Sequence, residues 1–172
     1  SVEISASVTE IGEGAFSGCS SLKEILVDQD NAHYVSIDGA LYNKEETELI
    51  CWPGGKNDIH IKAGVTGIGT GAFSGCDGLI SIEIPAGVTK IGDRAFSGCS
   101  GLISIQIPAS VTEIGEGAFC YCSSLISIKI PVGVTSIENN TFRECGSLES
   151  ILIPAGVTEI GSWAFGHTAY LT

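Results

Sequence analysis

The chain has 172 residues, of which 44% are hydrophobic and 16% charged, and its formal net charge is -12. This length can bury a sizeable core, and the hydrophobic content is too high for an intrinsically disordered chain. Nucleic acid is a poor partner for such an acidic chain, because Lys and Arg contacts dominate phosphate binding. Gly, Ser, Thr or Pro interrupts every apolar run well before the roughly 18 residues of a membrane span, so no membrane insertion is expected.

A 23-residue repeat organises the sequence from end to end. Four of the five prolines, five of the seven cysteines and a row of threonines recur with this period. Six units of 23 residues and one insertion of 34 residues account for the full length. All six phenylalanines keep the same register: Phe16, Phe73, Phe96, Phe119, Phe142 and Phe165.

Each unit predicts two short strands. Leu102, Ile105 and Ile107 alternate as a half-buried strand does, and Pro108 ends that strand because it has no backbone donor. Residues 88–91 form a second short apolar segment, followed by a glycine turn that leads to the inward-facing Phe96.

Two or three apolar rows per unit cannot form a core alone, so neighbouring units must stack as coils. The sequence therefore predicts a β-rich solenoid of six coils, with one domain over residues 1–172 and a β-hairpin insertion at about 28–58. The chain contains no Met and stops inside a unit, which indicates an excised stretch of a longer protein.

The insertion carries its own strand signals. Residues 34–37 and 40–42 flank Asp38-Gly39, a dipeptide typical of tight hairpins, and residues 48–52 predict a third strand. Tyr34, Tyr42 and Trp52 either pack these strands onto the solenoid or offer rings to a sugar or peptide. An acidic and amide cluster could hold calcium or cap turns: Asp28, Asp30, Asn31 and Asp38.

The register I-P-x-G-V-T-x-I-G-x-x-A-F-x-G-C-x-x-L-x-x-I, seen in residues 84–105 and its copies, resembles the 23-residue leucine-rich repeats of the BspA-like family. The family includes surface proteins of bacteria and protozoa. This resemblance implies a right-handed leucine-rich repeat superhelix, a cell-surface or secreted location, and an adhesive or receptor-like scaffold with variable ligands.

The outward positions of the longer strand are the candidate ligand-binding residues. Side chains between the inward positions of L-x-x-I-x-I face solvent and form three rows. The first row is apolar, the second carries hydroxyl groups, and the third is polar or charged. An exposed apolar row on a soluble protein is typical of a partner surface. The nine residues are Ile80, Ile103 and Ile126, then Ser81, Ser104 and Ser127, then Glu83, Gln106 and Lys129.

The cysteines favour buried free thiols over a metal site or a disulfide framework. Their 23-residue spacing does not match close zinc-ligand pairs, and the total of seven is odd. Cys51 and Cys120 fall outside the repeat positions and are the better candidates for reactivity. The repeating cysteines are Cys19, Cys76, Cys99, Cys122 and Cys145.

Three functions remain open at this stage. The first is a non-enzymatic interaction or adhesion module that binds a protein or glycan, possibly host extracellular matrix, through the strand face. The second is a structural spacer without a ligand. An enzyme is the third, and it would need a cavity that joins His33 or His60 with carboxylates. No nucleophile motif, phosphate loop or metal pattern is present in the sequence, so no cofactor is expected.

Overall fold

The computed structural model describes residues 1–56 and 58–172, and all of its regular elements are strands. Fourteen short strands wind through about seven turns of a β-solenoid. They are β1 (Val2–Ile4), β2 (Ile25–Val27), β3 (Tyr34–Ile37), β4 (Ala40–Asn43), β5 (Glu48–Cys51), β6 (Gly67–Ile68), β7 (Ser81–Glu83), β8 (Lys90–Ile91), β9 (Ser104–Gln106), β10 (Glu113–Ile114), β11 (Ser127–Lys129), β12 (Ser136–Ile137), β13 (Ser150–Leu152) and β14 (Glu159–Ile160).

Parallel pairing between successive coils confirms the repeat. The longer strands form a four-stranded sheet in the order β13-β11-β9-β7. Within it Ile82 pairs with Ile105, one 23-residue unit apart, so like residues lie above one another. The shorter strands β6, β8 and β10 pair in the same way in a second sheet. Two short strands per unit are therefore confirmed for the units that contain β6 to β13, whereas the first unit has no strand between Ile4 and Ile25.

A stack of phenylalanine rings runs through the core. Phe73, Phe96, Phe119 and Phe142 are almost completely buried. Neighbouring ring centroids along Phe73 to Phe165 lie 5.0 to 5.6 Å apart, with ring planes within 10° of parallel. These distances set the rise per coil at roughly the spacing of adjacent β-strands. Phe96, Phe119 and Phe142 each bury both ring faces against the rings of the two adjacent coils, so the core of one unit depends on its neighbours.

Cysteine thiols join the coils beside this stack. Cys99, Cys122 and Cys145 donate through Sγ to the backbone oxygens of Phe73, Phe96 and Phe119, at 3.1 to 3.2 Å. Each bond satisfies a buried carbonyl of the preceding coil, and each thiol also fills space as a small apolar group.

The insertion forms one turn of the solenoid in addition to its hairpin. Its third strand β5 pairs antiparallel with β4 and parallel with β6, which places it in the sheet of shorter strands. Trp52, which is 2% exposed, stacks on Phe73 at 6.0 Å and so takes the place of a phenylalanine in the core stack. The thiol of Cys76 faces the carbonyl oxygen of Trp52 at 4.0 Å. Trp52 therefore also takes the place at which later cysteines meet a phenylalanine carbonyl.

The hairpin at the start of the insertion matches its sequence signals. Asp38 and Gly39 have φ values of 50° and 76°, the positive values that a tight two-residue hairpin turn requires. All three strands begin at the predicted residues. β3 also ends as predicted, whereas β4 ends one residue later and β5 one residue earlier. The packing role of the aromatic residues is confirmed for Tyr42 and Trp52, which are both buried.

Asn31 anchors the insertion to the first coil. Its amide nitrogen donates to the carbonyl oxygens of Ser5 and Val8 at 2.9 and 3.0 Å. The amide oxygen accepts from the backbone N–H groups of His33 and Tyr34 at 2.9 and 2.8 Å. Because all of these polar atoms are used within the protein, Asn31 acts as a turn cap, and it has no free oxygen to offer a calcium ion.

Candidate functional site

The nine predicted ligand-binding residues all lie exposed on the sheet of longer strands. Ile82, Ile105 and Ile128 point into the core from β7, β9 and β11, because side chains alternate between the two faces of a strand. Their neighbours therefore point outward. The nine residues form three rows that cross the same three coils and are called the strand face below: Ile80, Ile103, Ile126, Ser81, Ser104, Ser127, Glu83, Gln106 and Lys129.

An apolar row runs along one side of the strand face. Ile80, Ile103 and Ile126 are 55%, 42% and 45% exposed. The N–H of Ile103 donates to the oxygen of Ile80 at 2.8 Å, and that of Ile126 to the oxygen of Ile103 at 3.2 Å. These bonds hold the three side chains at the spacing of the coils, so they form a continuous stripe.

Polar rows lie beside this stripe. Ser81, Ser104 and Ser127 are in register across three strands, and Ser150 on β13 extends the row. In the third row the carboxylate of Glu83 is followed by the amide of Gln106 and the ammonium of Lys129. The face thus offers apolar contact, hydroxyls and charges of both signs within three coils.

Burial controls the chemistry of the cysteines. Desolvation raises the pKa of Cys51, Cys76 and Cys145 to about 12. It also raises the pKa of Cys99 and Cys122. Thiolates are the reactive form of cysteine, so these five side chains are chemically quiet at neutral pH.

One expectation about the cysteines is wrong. Cys19 is exposed, because it lies in the first coil and no preceding coil covers it. The suggested reactivity of Cys51 finds no support, since Cys51 is buried and packs with Ile4, Ile25 and Leu41 in a second core cluster. Cys120 is also buried, and burial raises its pKa despite the lowering effect of nearby arginine side chains.

One histidine lies in a cavity with carboxylates, which is the arrangement that the enzyme hypothesis requires. His60 does share a cavity with Asp38 and Asp58, and its Nε2 lies 2.8 Å from Asp58 Oδ1. The two side chains are 78% and 82% exposed, so water screens the pair. Trp52 and Lys56 also line the cavity, and its described lining residues include no Ser or Cys.

Within residues 1–56 and 58–172, no group of three or more His, Cys, Asp or Glu side chains is placed to hold a metal ion. The same part of the chain contains no helix that could cross a bilayer.

Sequence reasoning missed a second set of outward side chains, at the edge formed by the turns. Arg94, Tyr121, Asn140 and Trp163 have left-handed backbone conformations, with φ between 51° and 62°. The equivalent positions in earlier coils are glycines, for which this conformation carries no steric penalty. A non-glycine residue at a glycine position of the repeat is the sequence signal that marks this edge.

Comparison with known proteins agrees with this geometry. The BspA type leucine rich repeat region matches residues 1–50 and 55–172, in six copies. The chain therefore belongs to the BspA-type leucine-rich repeat family. No curated protein matches the chain.

Solved structures of bacterial repeat proteins share the fold. A leucine-rich cell surface protein of Faecalibacterium prausnitzii is 39% identical with a TM-score of 0.90, over 99% of this chain and 46% of that one. A leucine-rich repeat protein of Bacteroides ovatus is 32% identical with a TM-score of 0.66, over 93% and 39% of the two chains. The pneumococcal vaccine antigen PcpA, at 22% identity and a TM-score of 0.70 over 95% and 51%, shows likeness of fold alone. The chain thus spans about half the length of these proteins, or less.

Proposed function

We propose that this chain is a non-enzymatic interaction module of a cell-surface or secreted protein, and that it binds a protein or glycan through the strand face. The observation that carries the proposal is the exposed isoleucine stripe. Large aliphatic side chains in three successive coils remain 42% to 55% exposed, so about half of each is available to a partner. On soluble proteins, such contiguous apolar surface is characteristic of interaction sites.

The strand face suits an extended ligand. Its coils are spaced at 5.0 to 5.6 Å, the separation of the stacked phenylalanine rings, so equivalent side chains recur at this interval. A partner that crosses three coils meets isoleucine, serine and the Glu83, Gln106 and Lys129 row together. Because that row contains both charge signs and an amide, it favours a ligand of mixed polarity over a uniformly charged polymer.

The relatives support the surface location. The Faecalibacterium prausnitzii protein, which is 39% identical, is a leucine-rich cell surface protein. A rigid solenoid that presents a side-chain array to an external partner is consistent with that setting.

A binding experiment separates this proposal from the spacer alternative. The purified chain is tested by biolayer interferometry against immobilised extracellular-matrix proteins and glycans, beside the double variant Ile103→Lys and Ile126→Lys. We expect the wild type to bind at least one member of the panel and the variant to lose at least about tenfold in affinity, because two desolvated apolar contacts are replaced by ammonium groups. A spacer would bind no panel member, or would bind one with unchanged affinity in the variant.

A further inference from the structure

Both arginines of the chain converge on one cavity at the turn edge, although the net charge is -12. Arg94 belongs to one coil and Arg143 to the second coil beyond it. The Cγ of Arg94 lies 3.4 Å from where a Cβ at Gly117 would be, so the arginine stem crosses the intervening coil at a glycine. The absence of a side chain at Gly117 lets two positive side chains line the same space.

Neither arginine forms an ion pair within the described chain, although the guanidinium carbon of Arg143 lies 5.8 Å from the centre of the Trp163 ring. Among the described residues, the ion pairs within 4.0 Å involve His60, Lys62 and Lys90, and neither arginine takes part in one. The Nε of Arg143 is buried and has no hydrogen-bond partner within the described chain. Because Nε is enclosed by the protein, an oxyanion in the cavity would meet the terminal nitrogens of the guanidinium groups, which donate no hydrogen bond within the described chain.

The remaining walls of the cavity define the ligand further. Glu116 also lines it, so with Arg94 and Arg143 the formal charge of the lining side chains is one positive unit. That charge matches a monoanion such as a carboxylate better than a phosphate dianion. Ser97 and Asn140 add neutral polar groups, and Tyr121, which is 50% exposed, adds a ring.

These groups favour a sugar over a peptide strand. The backbone N–H groups at this edge are already used between coils: Gly117 donates to Asn139 at 2.9 Å, and Tyr121 to Arg143 at 2.8 Å. Extended peptides are usually recognised through free main-chain groups, which this edge lacks. Side-chain hydroxyl and amide groups beside an aromatic ring can instead contact the hydroxyls and apolar face of a sugar ring.

We propose that the cavity between Arg94 and Arg143 binds the carboxylate of an acidic sugar, with Tyr121 against the ring. The cavity volume is about 230 Å³, which is enough for one sugar unit and below the usual range for larger ligands. This site lies on the turn edge and is independent of the strand face, so each can be tested without the other.

NMR offers a direct test, because the chain has only two arginine Nε–H signals to follow. Glucuronic acid is titrated into the full chain, with glucose as the neutral control and a blocked tetraglutamate peptide as the competing acidic class. We expect saturable shifts of both arginine signals with glucuronic acid, and none with glucose. The proposal is overturned if no saturable shift occurs, if glucose produces the same shifts, or if the peptide binds more tightly than the sugar acid.

Variants provide a second arm. Arg143→Lys keeps the positive charge but removes Nε and the planar fork, and Arg94→Gln removes the other charge. Each should weaken glucuronate binding at least about tenfold, since a charge-assisted hydrogen bond is lost. Lys23→Gln, at an exposed lysine of the first coil, is the control and should leave binding unchanged. Unaltered affinity in both arginine variants, or an equal loss in Lys23→Gln, would contradict the site.

Discussion

At the scale of single residues, the cysteines illustrate how one repeated position acquires different properties. Cys145 donates its thiol to the oxygen of Phe119 at 3.1 Å and is fully buried, whereas Cys19 occupies the same repeat position and is exposed. The difference comes from the neighbouring coil, which covers one thiol and not the other. Sequence spacing alone therefore cannot distinguish them.

The buried thiols predict a loss of stability at high pH. The pKa of Cys51, Cys76 and Cys145 is about 12 in the folded protein, against 9.0 for an unperturbed thiol. Between these values the unfolded chain releases protons that the folded chain retains, so stability falls as pH rises. Each thiol should contribute a slope of up to about 1.4 kcal/mol per pH unit. Urea unfolding from pH 8 to pH 11 under reducing conditions measures the slope.

Cys145→Ala is the control for that prediction. It removes one of the buried thiols with a raised pKa, so its stability should fall less steeply with pH than that of the wild type. Equal slopes for the two proteins would show that this thiol does not titrate as its burial requires.

At the scale of elements, the insertion shows what sequence periodicity could predict and what it could not. Asp38-Gly39 and the strands around it follow from local turn chemistry. The role of Trp52 does not, because its position does not fall in the 23-residue register of the phenylalanines. Only the three-dimensional stacking of Trp52 on Phe73 reveals that the insertion supplies its own turn of the core.

Trp52 should therefore tolerate replacement by an aromatic ring and not by a small side chain. Trp52→Ala removes a buried ring and should cost about 3–5 kcal/mol. Trp52→Phe keeps the stack but loses the bond from Nε1 to the oxygen of Lys56, which is 3.1 Å long, and should cost only about 1–2 kcal/mol. Chemical unfolding of both variants measures the difference. Similar costs for the two would mean that stacking on Phe73 does not stabilise the insertion.

The cost of removing a phenylalanine ring should depend on where that ring lies in the stack. Phe119 contacts a ring on each side, at 5.4 and 5.6 Å, whereas Phe165 is stacked on Phe142 alone, at 5.5 Å. Phe119→Ala should cost about 3–5 kcal/mol, and Phe165→Ala roughly half of that, because the second ring is only partly buried. Thermal or urea unfolding tests the order, and a larger cost at Phe165 would contradict it.

At the scale of the whole molecule, the repeat stacks equivalent residues in rows, and each row is either buried in the core or exposed on the surface. The inward rows are predictable from sequence because a residue such as Ile105 alternates with polar neighbours and pairs with Ile82 one coil away. Ile103 and Ile126 lie two residues before an inward isoleucine, so alternation alone would turn them inward. The L-x-x-I spacing predicts that they face outward, and the structure confirms that both are exposed, just before β9 and β11 begin. The turn edge with Arg94 and Arg143 was not predictable, since residues 49 positions apart meet there only through coil stacking.

The central claim is that the strand face binds the partner, and one comparison of dissociation constants tests it most directly. Ile103→Lys with Ile126→Lys is measured beside Thr112→Lys with Thr135→Lys, which adds the same charge at exposed positions next to the shorter strands. Against a ligand identified from the matrix and glycan panel, the isoleucine pair should weaken binding at least about tenfold, and the threonine pair should change it less than about twofold. Equal effects of the two pairs, or a greater effect of the threonine pair, would contradict the account.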